Sequence, residues 1–112
     1  MVHVPSVGRI VRFKLDADTA SRINKRRMDA TKSGIARENS GTQVHVGNAA
    51  EAEHVYPMLI VCMWGETEES AVNGQVFLDG NDTYWATSVW QDIAATSDNN
   101  LQPNHWRFPA AV

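Results

Sequence analysis

Val55-Tyr-Pro-Met-Leu-Ile-Val-Cys-Met-Trp64 is apolar on both alternating faces over most of its length, the pattern of a strand at the centre of a fold. Pro57 has no N–H to give to a ladder, so that end is expected at an edge or bulge. The polar stretch 65–70 separates it from Val72-Asn-Gly-Gln-Val-Phe-Leu-Asp79, which reads as the next strand. Asp79-Gly-Asn-Asp82 carries turn residues, with Gly80 and Asn81 able to supply positive φ. Thr83-Tyr-Trp-Ala-Thr-Ser-Val-Trp90 is rich in β-branched and aromatic residues and completes a three-strand meander.

The flanks fit around this centre. Val7-Gly-Arg-Ile-Val-Arg-Phe-Lys14 reads as a strand, with Ile10 or Val11 facing the core beside Phe13 while Arg9, Arg12 and Lys14 stay wet. Asp16 precedes a run of helix formers and can cap a helix over residues 17–30. Ala17, Ala20, Ile23 and Met28 share one face of that helix, but Asn24 interrupts its middle and Arg27 its edge. Residues 31–39 read as an exposed loop, and 43–47 as a short strand or arm with Val44 and Val46 on one face and His45 on the other. Residues 49–53 read as a connection or single turn. After the polar stretch 91–103, His105-Trp-Arg-Phe108 is a closing strand ended by Pro109. Together these elements predict one domain over residues 1–112, mainly β with one helix. The layout is an SH3-like small antiparallel barrel with a helix-containing insertion after the first strand.

Composition narrows the function classes. With 43% hydrophobic and 21% charged residues, the chain is too apolar for general disorder. No run reaches the ~18–20 apolar residues of a membrane span. Cys62 is the sole cysteine, which excludes an intrachain disulfide and a thiolate metal cage. Without a secretory pattern at the start, a reducing cytoplasm is expected. Charge is divided along the chain: residues 1–40 hold nine bases against four acids, +5, and residues 41–112 one base against nine acids, −8. Either the two halves attract each other, within the fold or between copies in a homo-oligomer, or the basic segment binds something acidic. The acidic remainder argues against nucleic acid as the partner.

No catalytic constellation is legible. Cys62 lies in an apolar strand where a thiol is normally packing, no serine sits in a Gly-x-Ser-x-Gly elbow, and the histidines lack metal-ligand spacing. Asp79-Gly-Asn-Asp-Thr83 lacks the closing ligands of a calcium loop, and no phosphate-cradling or dinucleotide fingerprint is present, so neither metal nor cofactor is expected. The aromatic residues are the most informative group. Tyr84 and Trp85 must face opposite sides of a sheet, and surplus aromatics serve as interface anchors as readily as they fill a core.

The segments Val7-Gly-Arg-Ile-Val-Arg-Phe13, Ile23-Asn-Lys-Arg-Arg27, Gln43-Val-His-Val-Gly-Asn48, the long block from Val72 through Leu78-Asp-Gly-Asn-Asp-Thr-Tyr-Trp85 to Ser88, and His105-Trp-Arg-Phe-Pro109 resemble a group of short proteins from actinobacterial phages and prophages. The resemblance spans most of the chain. It implies a phage-encoded protein acting in the cytoplasm of a bacterial host cell, and it brings no activity or functional residue. In a small barrel the long first excursion and the loop after the second strand flank a groove, here near residues 24–37 and 66–70. Trp64, Tyr84, Trp85 and Trp106 are its expected walls, with Arg22, Asn24, Arg26 and Arg27 beside them. The expected function is a non-enzymatic phage accessory module that binds a host or phage protein there. The alternatives are sequestration of a nucleotide or small anionic ligand by the arginines and a stacking tryptophan, and a structural virion component.

Overall fold

Alternation along each apolar segment turns every second side chain inward, and the inward set of Val11, Phe13, Met58, Ile60, Val76, Ala86 and Trp106 is almost fully buried. The computed structural model of the chain describes residues 4–32 and 47–109. These form β1 (Ile10–Lys14), α1 (Ala17–Lys32), β2 (Val55–Met63), β3 (Val72–Phe77), β4 (Thr83–Gln91) and β5 (His105–Arg107). The strands close in the order β1-β2-β3-β4-β5. The protein is mainly β with one helix, a small barrel of SH3-like layout with the helix in the excursion after the first strand. Four of its pairings are antiparallel. The last, β4 with β5, is parallel, through Trp90↔His105 and Gln91↔Trp106. Residues 92–104 carry the chain back along the barrel to make that closure. The expected strand or arm over 43–47, but for Gly47, and most of the expected loop over 31–39 fall outside the described residues.

Pro57 pairs with Arg12 and lies one step outside the β2–β3 ladder, which begins at Met58↔Val76, so of the edge or bulge expected for it the edge is what the fold provides. The bulge in β2 comes at Val61, where register slips between Ile60 and Cys62. Two local expectations are corrected. Lys14, expected on the wet side, is 6% exposed, because the chain at 103–104 closes over the end of β1 and the Asn104 amide donates to the Lys14 carbonyl at 2.7 Å. On the helix, Ala17 and Met28 are exposed, and the buried stripe is Thr19, Ala20 and Ile23, continued by half-buried Asn24 and Arg27. That i, i+4 stripe is offset from the apolar one because polar contacts set the docking.

Asp16 caps α1 as its position predicts, Oδ1 accepting from the Thr19 amide at 2.8 Å. Hydrogen bonding from the Thr19 side chain, then from its amide, with help from the Arg22 charge, holds the Asp16 carboxyl below the usual carboxylate range. The two polar residues that interrupt the helix face are its anchors. The Asn24 side-chain amide clasps the Ala50 backbone from both sides, donating to its carbonyl at 2.7 Å and accepting from its amide at 2.9 Å. Arg27 donates to the Asn48 carbonyl at 2.9 Å and to Asp82 at 3.0 Å, and Arg26 joins it on the same Asp82 oxygen. Asp82 is buried at the β3–β4 turn, so α1 is fastened to that turn. Gly47 makes the approach possible: a Cβ there would lie 1.9 Å from the Asp79 carbonyl oxygen, and the neighbouring Asn48 amide donates to the Asp79 carboxylate.

A second fixture is Asn73 on β3. The bulge in β2 lies on one side of it, and on the other the β3–β4 register slips between Val72 and Gly74, where Ser88 takes a φ of 52°. The Asn73 side-chain oxygen Oδ1 accepts from the Ser88 amide at 2.8 Å and the Trp64 indole N–H at 3.1 Å. It therefore satisfies a backbone donor that the irregular ladder leaves over.

Candidate functional site: the outer face of the barrel

With the inward set filling the core, the residues between them face out. Ile10 pairs with Leu59, Leu59 with Gln75, and Gln75 with Trp85. These four side chains form one line across the outside of four strands, about 14 Å long at the usual strand spacing. Ile10 is 55% and Trp85 57% exposed, and Val61, Phe77, Trp64 and Trp90 are exposed as well. Trp64 and Trp90 lie on either side of Ala71, one ladder step beyond Met63↔Val72 and Val72↔Val89. At roughly 150–250 Å² per full aromatic side chain, these groups expose about 600–700 Å².

The residues named from sequence are not brought into one groove. Tyr84 pairs with Val76, packs partly on the core, and lines a cavity of about 130 Å³ with Thr19, Arg22, Ile23 and Arg26. Trp85, next in the chain, faces the opposite way. Trp64 reaches the same outer face as Trp85 but at its other end, held by Asn73. Trp106 is a correction. It is 0% exposed in the centre of the core, edge-on to Phe108 with ring centroids 5.1 Å apart, and walls no surface. Asn24 and Arg27 dock the helix, as does Arg26 in part. Ile10, expected as an alternative to Val11 in the core, faces out, and with Leu59, Val61 and Phe77 it belongs to an outer face that the expected groove did not include. The signal was present, since a strand apolar on both faces in a small barrel has only one face to bury.

Charge is largely settled internally. Arg22 pairs with Asp18 at 3.2 Å and Lys25 with Asp29 at 2.6 Å on the helix surface. Arg26 and Arg27 share Asp82. Arg12 and Arg107 hold Asp98, at 2.5 and 2.6 Å, from adjacent strands. The hydrogen bond from Arg12 is the main cause, with Arg107 assisting, that lowers the Asp98 carboxyl to about 2. Arg9 lies over the Phe108 ring at 5.6 Å. The basic and acidic halves of the sequence thus meet inside the fold at Asp82 and Asp98. Glu66, Glu68 and Glu69, in the loop after Trp64, have no cationic partner among the described residues.

No group of three or more potential metal ligands occurs among the described residues, and no helix there is long and apolar enough to cross a membrane. Asn48, Ala49, Glu51, His54, Tyr56 and Asp79 line a polar cavity of about 420 Å³ on the helix-docking side. Within it His54 and Glu51 pair with each other at 2.9 Å, and the Asp79 carboxylate accepts from the Asn48 side-chain amide. Comparison with protein-family models, curated proteins and solved structures found no match for this chain.

Proposed function

We propose that the protein is a non-enzymatic interaction module, acting in a bacterial host cell on a host or phage protein through the outer face of its barrel. The observation that carries this reading is the outward cross-strand line Ile10, Leu59, Gln75 and Trp85, exposed at its two ends and half-buried between them, on strands whose opposite face is fully packed. Apolar surface of this extent on rigid strands costs little to order on binding, and tryptophan is the commonest kind of energetic anchor at interfaces. Sequestration of an anion is the weaker reading. Arg22 and Arg26 do meet Tyr84 around one cavity, but both already hold carboxylates and no tryptophan lines it.

The test is affinity capture from host lysate with wild-type bait and with a Trp85→Ser/Phe77→Ser bait. A purified prey that binds the first and not the second supports the assignment. The same prey on both baits refutes it, as does turnover in a substrate screen that a point substitution abolishes.

A further inference from the structure

We infer that this face receives a segment of another protein in which apolar residues alternate with Lys or Arg. The inference rests on the face proposed above and adds the chemistry of its partner. Glu66, Glu68 and Glu69 follow directly on Trp64, and the loop that bears them is fastened. The Thr67 amide donates to Ser70 Oγ at 3.0 Å, the Ser70 amide returns to the Thr67 carbonyl at 3.1 Å, and Thr67 Oγ1 accepts from the Glu69 amide at 3.3 Å. With Val4 these residues line a shallow cavity of about 370 Å³. The N-terminal strand edge runs beside β2 here, Gly8 donating to the Ile60 carbonyl at 2.8 Å and Ile60 to the Arg9 carbonyl at 3.0 Å. Apolar Val4 and Ile10 therefore connect the acidic loop to the apolar line.

Of the other described carboxylates, Asp18, Asp29, Asp82 and Asp98 each have a cation, Glu51 pairs with His54, and Asp16, Asp79 and Asp92 accept hydrogen bonds from neutral donors. Three carboxylates without a cation thus stand together at the rim of this apolar face, the usual arrangement of an interface with an apolar centre and a polar edge. An acidic segment is repelled there, and a basic one is steered in. A second copy is a poor occupant, because the described cations of its helix already face Asp18, Asp29 and Asp82. Three rim contacts of the strength of exposed ion pairs amount to roughly a ten-fold preference for a basic over an acidic segment, strongest at low salt.

The probes are two labelled amphipathic peptides of equal length and periodicity, one of Leu and Lys and one of Leu and Glu, titrated by fluorescence anisotropy at low and high ionic strength. The wild-type protein binds the Lys peptide about ten-fold more tightly at low salt. Glu66→Gln/Glu68→Gln/Glu69→Gln abolishes the preference with an unchanged circular dichroism spectrum, and Trp85→Ser weakens both peptides. Equal affinities, or a preference that survives the triple substitution, overturn the inference while leaving the face intact if Trp85→Ser still weakens binding. Binding indifferent to Trp85→Ser, or no binding of either peptide, overturns both. A dimer in analytical ultracentrifugation that Trp85→Ser dissolves assigns the face to a second copy and also overturns the inference.

Discussion

Asp82→Ala tests how the helix is held. The carboxylate is 2% exposed, and one of its oxygens accepts from both Arg26 and Arg27, while the other accepts from the Thr83 amide at 2.8 Å. Arg27 is itself only 11% exposed. Removing one member of a buried pair leaves the other desolvated without that acceptor, which costs about 3–5 kcal/mol. The half-exposed Arg26 adds at most about 1 kcal/mol, and the Thr83 amide about 1 kcal/mol. Since all three donors share one group, these effects overlap, and a net loss of about 3–5 kcal/mol is expected. That is a large part of the ~5–15 kcal/mol of a typical domain. Urea denaturation followed by tryptophan emission measures the total, and hydrogen exchange of the α1 amides tests its location. Asp82→Asn keeps an acceptor for Thr83 and loses less. The reasoning is refuted by a loss below about 1 kcal/mol, by α1 amides that exchange as in wild type, or by no coupling between Asp82→Ala and Arg27→Ala in a double-mutant cycle. If Asp82→Ala does not fold, Arg27→Met carries the same comparison.

Because the folded Asp98 carboxyl is lowered to about 2 from an unfolded value near 3.9, its contribution to stability is fully present above pH ~4. It is lost as pH falls through the folded value. Its side chain is about a third exposed, so after solvent screening the contribution is on the order of 1 kcal/mol; urea midpoints between pH 5 and 2 should fall less steeply in Asp98→Asn than in wild type. Gly47→Ala forces a Cβ to within 1.9 Å of the Asp79 carbonyl oxygen and should lower stability by at least about 1–3 kcal/mol in the same assay, whereas Gly8→Ala, with open space around it, suffers only the strain of its positive φ. Asn73→Ala removes the acceptor of the Trp64 indole and the Ser88 amide; a loss of about 1–3 kcal/mol and a red-shifted emission are expected, and an unchanged spectrum counts against the tie to Trp64.

The strands were legible because they are local. Period-two patterning over Val55–Met63, Val72–Phe77 and Thr83–Gln91 needs no knowledge of what lies opposite. The face of α1 was misread for the converse reason. Asn24 and Arg27 look like defects in an apolar stripe until Ala50, Asn48 and Asp82, 21 to 55 positions away, are brought to them. Alternation also required Tyr84 and Trp85 to part company, but their phase is set by the bulge at Ser88 and by Val76 across the ladder. Trp106 was placed at the surface because a three-residue strand has too little pattern to reveal which side is inward. The parallel closure of β5 on β4 depends on the path of residues 92–104, which no local signal encodes.

Closing the cylinder gives each of β1 to β5 a neighbour on both sides, although the closing contacts are short, β5 meeting β4 at Trp90 and Gln91 and β1 at Arg12 and Phe13. Across the paired strands β1 to β4 a ligand meets side chains and not the sheet edge that edge-recognising domains offer. Selectivity on that face comes from the outward side chains, which are not needed to fill the interior. Such positions can be exchanged wholesale while the framework persists, so descendants of this chain can change allegiance without relearning how to fold.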